Sequence, residues 1–285
     1  MNDGDRILEV QNEQPVIELL GAQRELYRRS KIWQRLSLTC GIAIPFLLTV
    51  LEAVFPFQVP LTAFVAVETL LFAATLITGR RVASLVDDAA SAQQHADSII
   101  YDIQFDHVHV DAAMITEMYE ADSKRDYTDR PLRDWYRKEI GGLPAEEAIA
   151  RCQRMNAEWS SDLAGKLSLV VGAVCILGIV VVFWLSAVCE KELASLFFVF
   201  TFIECAIQAM HDGFANHAAK RSLSEACVGF DLSGEKNIRL AQDKILSYRS
   251  NPAILVPDWM YALRRNKNED RARRVAAARN NGGER

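Results

Sequence analysis

Two glutamates are candidates for function because each lies near the middle of a long apolar run. Glu68 falls within residues 57–79 and Glu204 within residues 193–210, each on the order of 14–17 Å from the outer end of its run by helical rise. An acid at the centre of a bilayer costs roughly 2.5–3.5 kcal/mol on insertion scales, so it normally faces protein or water. The pair indicates either a cation-attracting ring or wet path in an oligomer, or protonated carboxyls hydrogen-bonded to a neighbouring helix.

Arginines beside aromatic residues form a second group of candidates, outside the apolar runs. They occur in residues 130–136 (RPLRDWY), 151–159 (RCQRMNAEW) and 256–259 (VPDW). Arginine offers planar, bidentate donors to a phosphate, and tryptophan or tyrosine offers a face on which a base can stack. Aromatic side chains are also typical of a hydrophobic core or a membrane interface. The residue types alone therefore leave both interpretations open.

The sequence predicts neither an enzyme nor a metal site. It contains no G-x-S-x-G, Walker, HExxH or GxGxxG motif, and its six cysteines include no CxxC pair. His107 and His109 alternate as metal ligands on a strand would, with Asp106 and Asp111 beside them. Two histidines and two acids in such a pattern are more typical of a solvated edge. We therefore expect no catalytic residues, no metal and no cofactor.

Four apolar runs must position the candidate residues. They are residues 36–55, 57–79, 167–189 and 193–210, with lengths of 20, 23, 23 and 18 residues in a chain of 285. About 20 apolar residues cross a hydrocarbon layer of roughly 30 Å as a helix. A soluble single domain would not need four such runs, so the sequence predicts a membrane protein. The net charge of −5 also argues against binding to DNA or RNA polymers, which calls for a basic surface.

Basic residues beside the runs set the predicted orientation, because they resist translocation across the membrane. Five of them precede the first run, Arg80 and Arg81 follow the second, and Lys220 and Arg221 follow the fourth. The first turn, residues 56–60, carries no charge. The sequence therefore predicts a multi-pass protein of the bacterial inner membrane, with two hairpins whose turns lie outside and with both termini in the cytoplasm.

The predicted fold is mostly α: four transmembrane helices in two hairpins and a helical cytosolic assembly. Apolar residues recur at three- and four-residue steps from Val82 to Ile103, which predicts that the second span continues as an amphipathic helix. We expect its apolar face to pack on a neighbouring protomer or on an extension of the fourth span. Pro144 with acids behind it predicts a helix that runs into the third span. Residues 103–110 indicate a short strand or a helix end.

Six parts follow from these features. Residues 1–35 form a cytosolic amphipathic helix, 36–79 hairpin 1, 80–166 a cytosolic acidic region, 167–215 hairpin 2, 216–267 a cytosolic C-terminal region and 268–285 a basic disordered tail. Residues 80–166 carry 11 Lys/Arg against 17 Asp/Glu, whereas residues 216–285 carry 14 against 8. These opposite charges predict that the two regions dock on each other beneath the membrane.

Five short motifs in this order resemble the SMODS-associating four-transmembrane effector family. The matching residues are LLxAxRxLY at 19–27, LRDWY at 132–136, LP at 143–144, CQRxNxxW at 152–159, and VPDW at 256–259 with Tyr261 behind it. The likeness runs from about residue 15 to residue 265 and includes the layout of hairpin, cytosolic region and hairpin. Arg137 stands where the family's motif would carry a proline.

The resemblance implies a bacterial antiphage effector of the CBASS type, partnered with a cGAS-like nucleotidyltransferase. It implies that the effector senses a cyclic di- or trinucleotide in the cytosol and then perforates or depolarises the inner membrane as a homo-oligomer. Our hypothesis places the ligand's phosphates at Arg133, Arg151 or Arg154 and its bases near Trp135, Tyr136 or Trp259. Two alternatives stay open: a ligand-independent ion channel or transporter that uses the two intramembrane glutamates, and a membrane-anchored interaction scaffold.

Overall fold

The chain is mostly α-helical, as predicted. The computed structural model describes residues 3–55, 60–105, 110–125, 132–136, 138–190, 196–229, 234–251 and 254–260, with backbone alone at 158–160 and 224–229. Within these ranges it contains no strand and eight α-helices: α1 Asp3–Val10, α2 Gln14–Leu38, α3 Ile44–Val54, α4 Leu61–Tyr101, α5 Ala112–Ser123, α6 Ala145–Val188, α7 Val199–Gly229 and α8 Glu235–Arg249. Residues 103–105 and 110 are irregular, while 106–109, with His107 and His109, lie outside the described residues.

Two compact units divide the chain. Helices α1 to α8 belong to the first, Met1–Ile254. The second is Leu255–Arg285, of which residues 255–260 are described and the predicted basic tail is not. In this short segment the Met260 N–H donates to the Pro257 carbonyl oxygen at 3.0 Å.

Three helical segments in the described part of the chain are long and apolar enough to cross a membrane. They are Gln14–Val54, Leu61–Tyr101 and Ala145–Val188, which contain most of the first three predicted runs. Helix α7 is not among them because Glu204, Gln208, His211 and Asp212 interrupt its apolar sequence. The fourth run begins at Leu193, and residues 191–195 lie outside the described residues.

A π-helical turn joins α2 to α3 of the first candidate span. It covers Thr39–Ala43, between α2 and α3, and the Ile44 N–H donates to the Thr39 carbonyl five residues back. Pro45 follows at the start of α3. Because proline has no N–H, it cannot continue the α-helical hydrogen bonds, and the wider turn lets the chain continue without a break.

Helix α4 continues unbroken from the apolar run into the helical assembly beyond it, which confirms the predicted extension of the second span. Its residues Val82, Leu85, Ala89, Ala92 and Ala96 are all buried. The expected partner of this face was wrong. Instead of a neighbouring protomer or the fourth span, α2 of the same chain packs along it. The spacing identified the buried face, but such a pattern does not specify which helix covers it.

The largest hydrophobic cluster of the described residues is shared by several helices outside the apolar runs. It includes Val16, Leu19 and Leu20 of α2, so the N-terminal helix packs on this helical assembly, together with Ile149 of α6 and Ile238 of α8. Helix α6 starts directly after Pro144 and continues to Val188, so the predicted helix into the third span is confirmed. Core and membrane parts are therefore joined by continuous helices.

In the apolar part, α6 and α7 pack against each other closely because small residues let their backbones approach. A Cβ atom at Gly178 would lie 2.9 Å from the Phe202 ring. Further along, the Ser168 hydroxyl donates to the Gly213 carbonyl of α7 at 3.0 Å. Close packing at small residues and hydroxyl bonds to a neighbouring helix are typical of helix pairs inside membranes.

Arginines surround a fully buried glutamate between α2 and α5. Arg28 binds Glu25 with two bonds of 2.6 and 2.7 Å, Arg29 binds it at 3.0 Å and Arg125 at 3.3 Å. Burial is the largest single effect and raises the pKa of Glu25, but the arginines together outweigh it and lower the pKa to about 2. Glu25 is therefore ionised at neutral pH and links basic α2 to the end of α5.

We predict that Glu25→Gln lowers the unfolding free energy by about 1–3 kcal/mol at pH 7, because it removes charged hydrogen bonds. The folded pKa lies below the ordinary 4.5, so this stabilisation is complete above pH 4.5 and is lost as the pH falls towards 2. Thermal unfolding in detergent between pH 7 and 3 measures it. The exposed Glu9→Gln serves as the control. An equal pH dependence in wild type and Glu25→Gln would contradict the assignment.

Candidate functional site

A buried ion pair fastens helix α8 to helix α4. Arg249 at the end of α8 donates to Asp97 of α4 at 2.6 Å, and their side chains are only 5% and 4% exposed. Burial alone would lower the pKa of Arg249, but the Asp97 carboxylate raises it overall, so the guanidinium keeps its charge. Ile238, Ala241 and Ile245 are the buried apolar residues on the same helix, which explains why Arg249 points inwards.

Gln242 of α8 connects α4 and α6 through one amide group. Its Nε2 donates to Gln94 and Asp97 of α4 at 2.8 Å each. Its Oε1 accepts from Gln153 of α6 at 3.0 Å, and Gln153 also donates to the Ile238 carbonyl of α8. Because α4 and α6 both continue into the apolar part of the protein, α8 holds together the polar ends of two candidate membrane-spanning helices.

Tyr136 links the segment 132–136 to the same cluster. Its hydroxyl lies 2.6 Å from that of Tyr101, 3.4 Å from Asp97, and accepts from Asn156 of α6 at 3.2 Å. Its backbone N–H donates to Gln11 Oε1 at 2.7 Å. Burial raises the pKa of both tyrosines well above its usual range, so both phenols stay protonated and act as hydrogen-bond donors.

We call this group the α8 cluster and define it by residues that share buried polar contacts beneath α8. Its members are Gln94, Asp97, Tyr101, Tyr136, Gln153, Asn156, Gln242 and Arg249. Among the described residues, Gln94 Nε2 and Gln153 Oε1 are buried without a hydrogen-bond partner. Because one hydrogen-bond donor and one acceptor are unused, the α8 cluster is not fully hydrogen-bonded. This favours rearrangement of the cluster or a polar occupant over a fixed core.

The predicted ligand residues fall in different surroundings. Tyr136 is part of the α8 cluster, whereas Arg133 and Trp135 beside it are exposed. Arg151 is half-exposed on α6 and pairs with Glu147 at 2.8 Å. Arg154 is half-buried on α6, and Trp259 is exposed in the second unit. Of the other motif residues, the Trp159 side chain and Tyr261 lie outside the described residues.

The predicted docking of the acidic and basic regions takes place through α8. The Asp97–Arg249 pair joins the two regions, and the Gly234 N–H donates to Glu146 at 2.8 Å. The net charges of the two regions predicted this docking, whereas in the structure one deeply buried ion pair joins them. Asp97 and Gln94 were missed, although a polar residue amid an alanine-rich helical seam is a signal that could have found them.

The two intramembrane glutamates are not equivalent. The Thr201 hydroxyl of α7 donates to Glu68 of α4 at 2.7 Å, as in the interpretation of a carboxyl bonded to a neighbouring helix. Glu204 is exposed on the outer side of α7. Glu52, near the outer end of the first span, accepts from the Phe198 N–H at 3.5 Å. The first two spans are therefore joined to the start of α7 through side-chain carboxylates.

Neither an activated Cys152 thiol nor a cluster of metal ligands is present among the described residues. Burial, with Asp97 nearby, raises the pKa of the Cys152 thiol, so it stays protonated and unreactive. No group of three or more His, Cys, Asp or Glu among the described residues is arranged to hold a metal ion. The arrangement can bind, clamp and transmit movement.

We predict that Asp97→Asn lowers the unfolding free energy by about 3–5 kcal/mol, because it leaves the buried Arg249 charge uncompensated. Glu147→Gln breaks an ion pair of the same kind that is half-exposed and is expected to cost less than about 1 kcal/mol. Thermal unfolding of the two variants in detergent measures the difference. Equal effects would show that the Asp97–Arg249 pair is not the buried contact described here.

Comparisons with known proteins agree with this architecture. The model of the SMODS-associating 4TM effector domain matches residues 5–279. A protein of Bacillus cereus (strain VD146) described as a probable CBASS effector molecule is 22% identical over 289 residues, covering 93% of this chain and 95% of its own length. No solved structure matches the chain.

Proposed function

The chain belongs to the SMODS-associating 4TM effector family, and from this premise we propose how it works as a membrane effector of CBASS-type antiphage defence. A cyclic di- or trinucleotide made by a cGAS-like nucleotidyltransferase binds on the cytosolic side. The bound effector then perforates or depolarises the inner membrane as a homo-oligomer. Helix α7 is the fourth span in this proposal, both termini are cytoplasmic, and the protein is not an enzyme. The relative's description as a probable CBASS effector supports the pathway.

One observation carries the mechanism: Gln242 and Arg249 of α8 hold α4 and α6 together at their cytosolic ends. Both helices are unbroken, Leu61–Tyr101 and Ala145–Val188, so a movement imposed on their cytosolic ends reaches the membrane. The closed state is the one in which α8 is seated. Release of α8 frees the two spans to take up another arrangement.

The ligand site in this proposal lies on the surface next to the α8 cluster. Arg133, Arg151 and Arg154 hold phosphates, and Trp135 holds a base. Trp135 is exposed while the adjacent Tyr136 is bonded inside the cluster. Because the two residues are consecutive, a base that stacks on Trp135 shifts Tyr136 and its contacts with Asp97 and Asn156. Binding of the nucleotide is thereby coupled to the clamp, by which we mean the contacts of α8 that hold α4 and α6 together.

The ligand must prefer the open state strongly. A shift from about 1% to 99% open needs roughly 10⁴-fold tighter binding to the open state, or about 5.5 kcal/mol. Several charged hydrogen bonds and one or two stacked bases supply contacts of this total size. A ligand with equal affinity for the closed and open states would not shift the equilibrium between them.

We predict that liposomes containing the purified protein release a trapped dye when one cyclic di- or trinucleotide of a panel is added, and not without it. Arg133→Ala and Trp135→Ala are expected to raise the half-maximal nucleotide concentration by about tenfold or more, since each removes about 1.4 kcal/mol or more of contact. The control is Arg6→Ala. Arg6 pairs with Asp102 elsewhere on the surface. Leak under every condition would favour a constitutive channel, and silence without nucleotide binding would favour a scaffold.

We predict that Gln242→Leu lowers the nucleotide concentration needed for release, because it removes the amide that joins α4 to α6. A loss of about 1–3 kcal/mol of clamping corresponds to a shift of about 5–150-fold, with some release in the absence of nucleotide. Asp243→Asn changes the neighbouring residue on the exposed face of α8 and should leave the concentration unchanged. If both variants matched the wild type, α8 would not be the clamp.

A further inference from the structure

The exposed surface of α7 has a polar edge and an apolar edge. Successive residues turn by about 100° around a helix, which places Glu204, Gln208, His211 and Asp212 along one side. The apolar edge next to it consists of Phe200, Ile207 and Phe214, which are 65%, 55% and 45% exposed. The opposite side, with Phe202, Ala206 and Ala209, is buried against the rest of the chain.

The polar edge lies at the depth of the third span. Phe202 packs on Gly178 of α6, and the Gly213 carbonyl accepts from Ser168, so α7 between these residues runs beside the apolar part of α6. Glu204 is two residues from Phe202 and therefore lies near the level of Gly178, the midpoint of the third predicted run. Gln208 lies about 6 Å and Asp212 about 12 Å nearer the cytosolic end by helical rise.

Contacts along the edge satisfy only part of its polar groups. Gln208 donates to Asp212 at 2.7 Å, and His211 Nδ1 lies 3.4 Å from the same carboxylate oxygen. The His211 and Asp212 side chains are still 72% and 43% exposed. Hydrocarbon offers no hydrogen bonds and strongly disfavours acids, so such residues in membranes face protein or a water-filled cavity.

We infer that the polar edge of α7 lines a water-filled path for cations, closed by the same edge of further copies of this chain. The inference rests on the proposed function and adds which helix forms the path. Identical edges are self-complementary, since an amide such as Gln208 both donates and accepts and His211 can face Asp212 of the next copy. Glu204 is the charge nearest the middle of the path and favours cations.

Glu68 has a different role, although the sequence places it at a similar depth. Its carboxylate accepts from Thr201 within the same chain, so it joins α4 to α7. Glu204 and Glu68 thus form a matched pair for a test, with the same side chain at a similar depth and different surroundings.

Currents through planar bilayers under a potassium chloride gradient test the inference. Glu204→Gln is expected to reduce the preference for potassium over chloride several-fold, as judged from the reversal potential. Glu68→Gln is expected to alter how readily current appears while keeping the preference. The inference is overturned if nucleotide-dependent current flows in both variants with the same reversal potential as wild type.

Cysteine cross-linking tests the arrangement without requiring current. In a background free of native cysteines that still releases dye, Gln208→Cys should be joined between copies in membranes by a short bifunctional thiol reagent. It should also react with a charged, water-soluble thiol reagent, whereas Ile207→Cys on the apolar edge should do so at least tenfold more slowly. If the wild-type protein released no dye on addition of nucleotide, that result would contradict the proposed function and not the arrangement of α7. Equal reactivity at the two positions, or no link at Gln208→Cys, would overturn the inference.

Discussion

The pairing of Asp97 with Arg249 is the contact on which the helical assembly outside the apolar runs depends. Two charges in a water-poor interior gain little net free energy, because their desolvation offsets their attraction, yet removal of either partner leaves a costly bare charge. The pair thus restricts α8 to one position on α4, from which Gln242 also reaches Gln153 of α6. Apolar residues alone would stabilise the contact without fixing its position as strictly.

The membrane imposes the second constraint, because backbone and side-chain polar groups must find partners within it. The two long helices α4 and α6 meet this by continuing unbroken into the helical core outside the apolar runs, where their polar residues converge under α8. A protein with short spans and separate helices outside the membrane would need flexible joints, and these would weaken the transmission of movement. In this chain the helix that presents Asp97 to α8 also presents Glu68 to Thr201.

Much of the architecture was predictable from sequence. Apolar length predicted four spans, and three candidate spans are present in the described residues. The three- and four-residue spacing predicted the buried face of α4, and Pro144 predicted the start of α6. These are local properties of a helix. The sequence did not specify which elements contact each other. The buried face of α4 packs on α2, and Tyr136 lies beside Asn156. Asp97 and Arg249 are 152 residues apart, and no local pattern links residues so distant. The ligand residues proposed from Arg and aromatic motifs stay a prediction.

The π-helical turn Thr39–Ala43 makes the first span unlike the other two in its tolerance of changes in chain length. One residue more or less in an α-helix rotates everything beyond it by about 100°, which in α4 or α6 would swing the buried face away from its partner. The wide turn already contains one residue beyond the α-helical repeat. If one residue were deleted there, the turn would become ordinary α-helix and the helices on either side would keep their rotation. Pro45, which has no N–H, opposes this conversion. The junction therefore acts as a spacer that sets the rotation of α3 independently of α2, so the two helices can change sequence and packing separately.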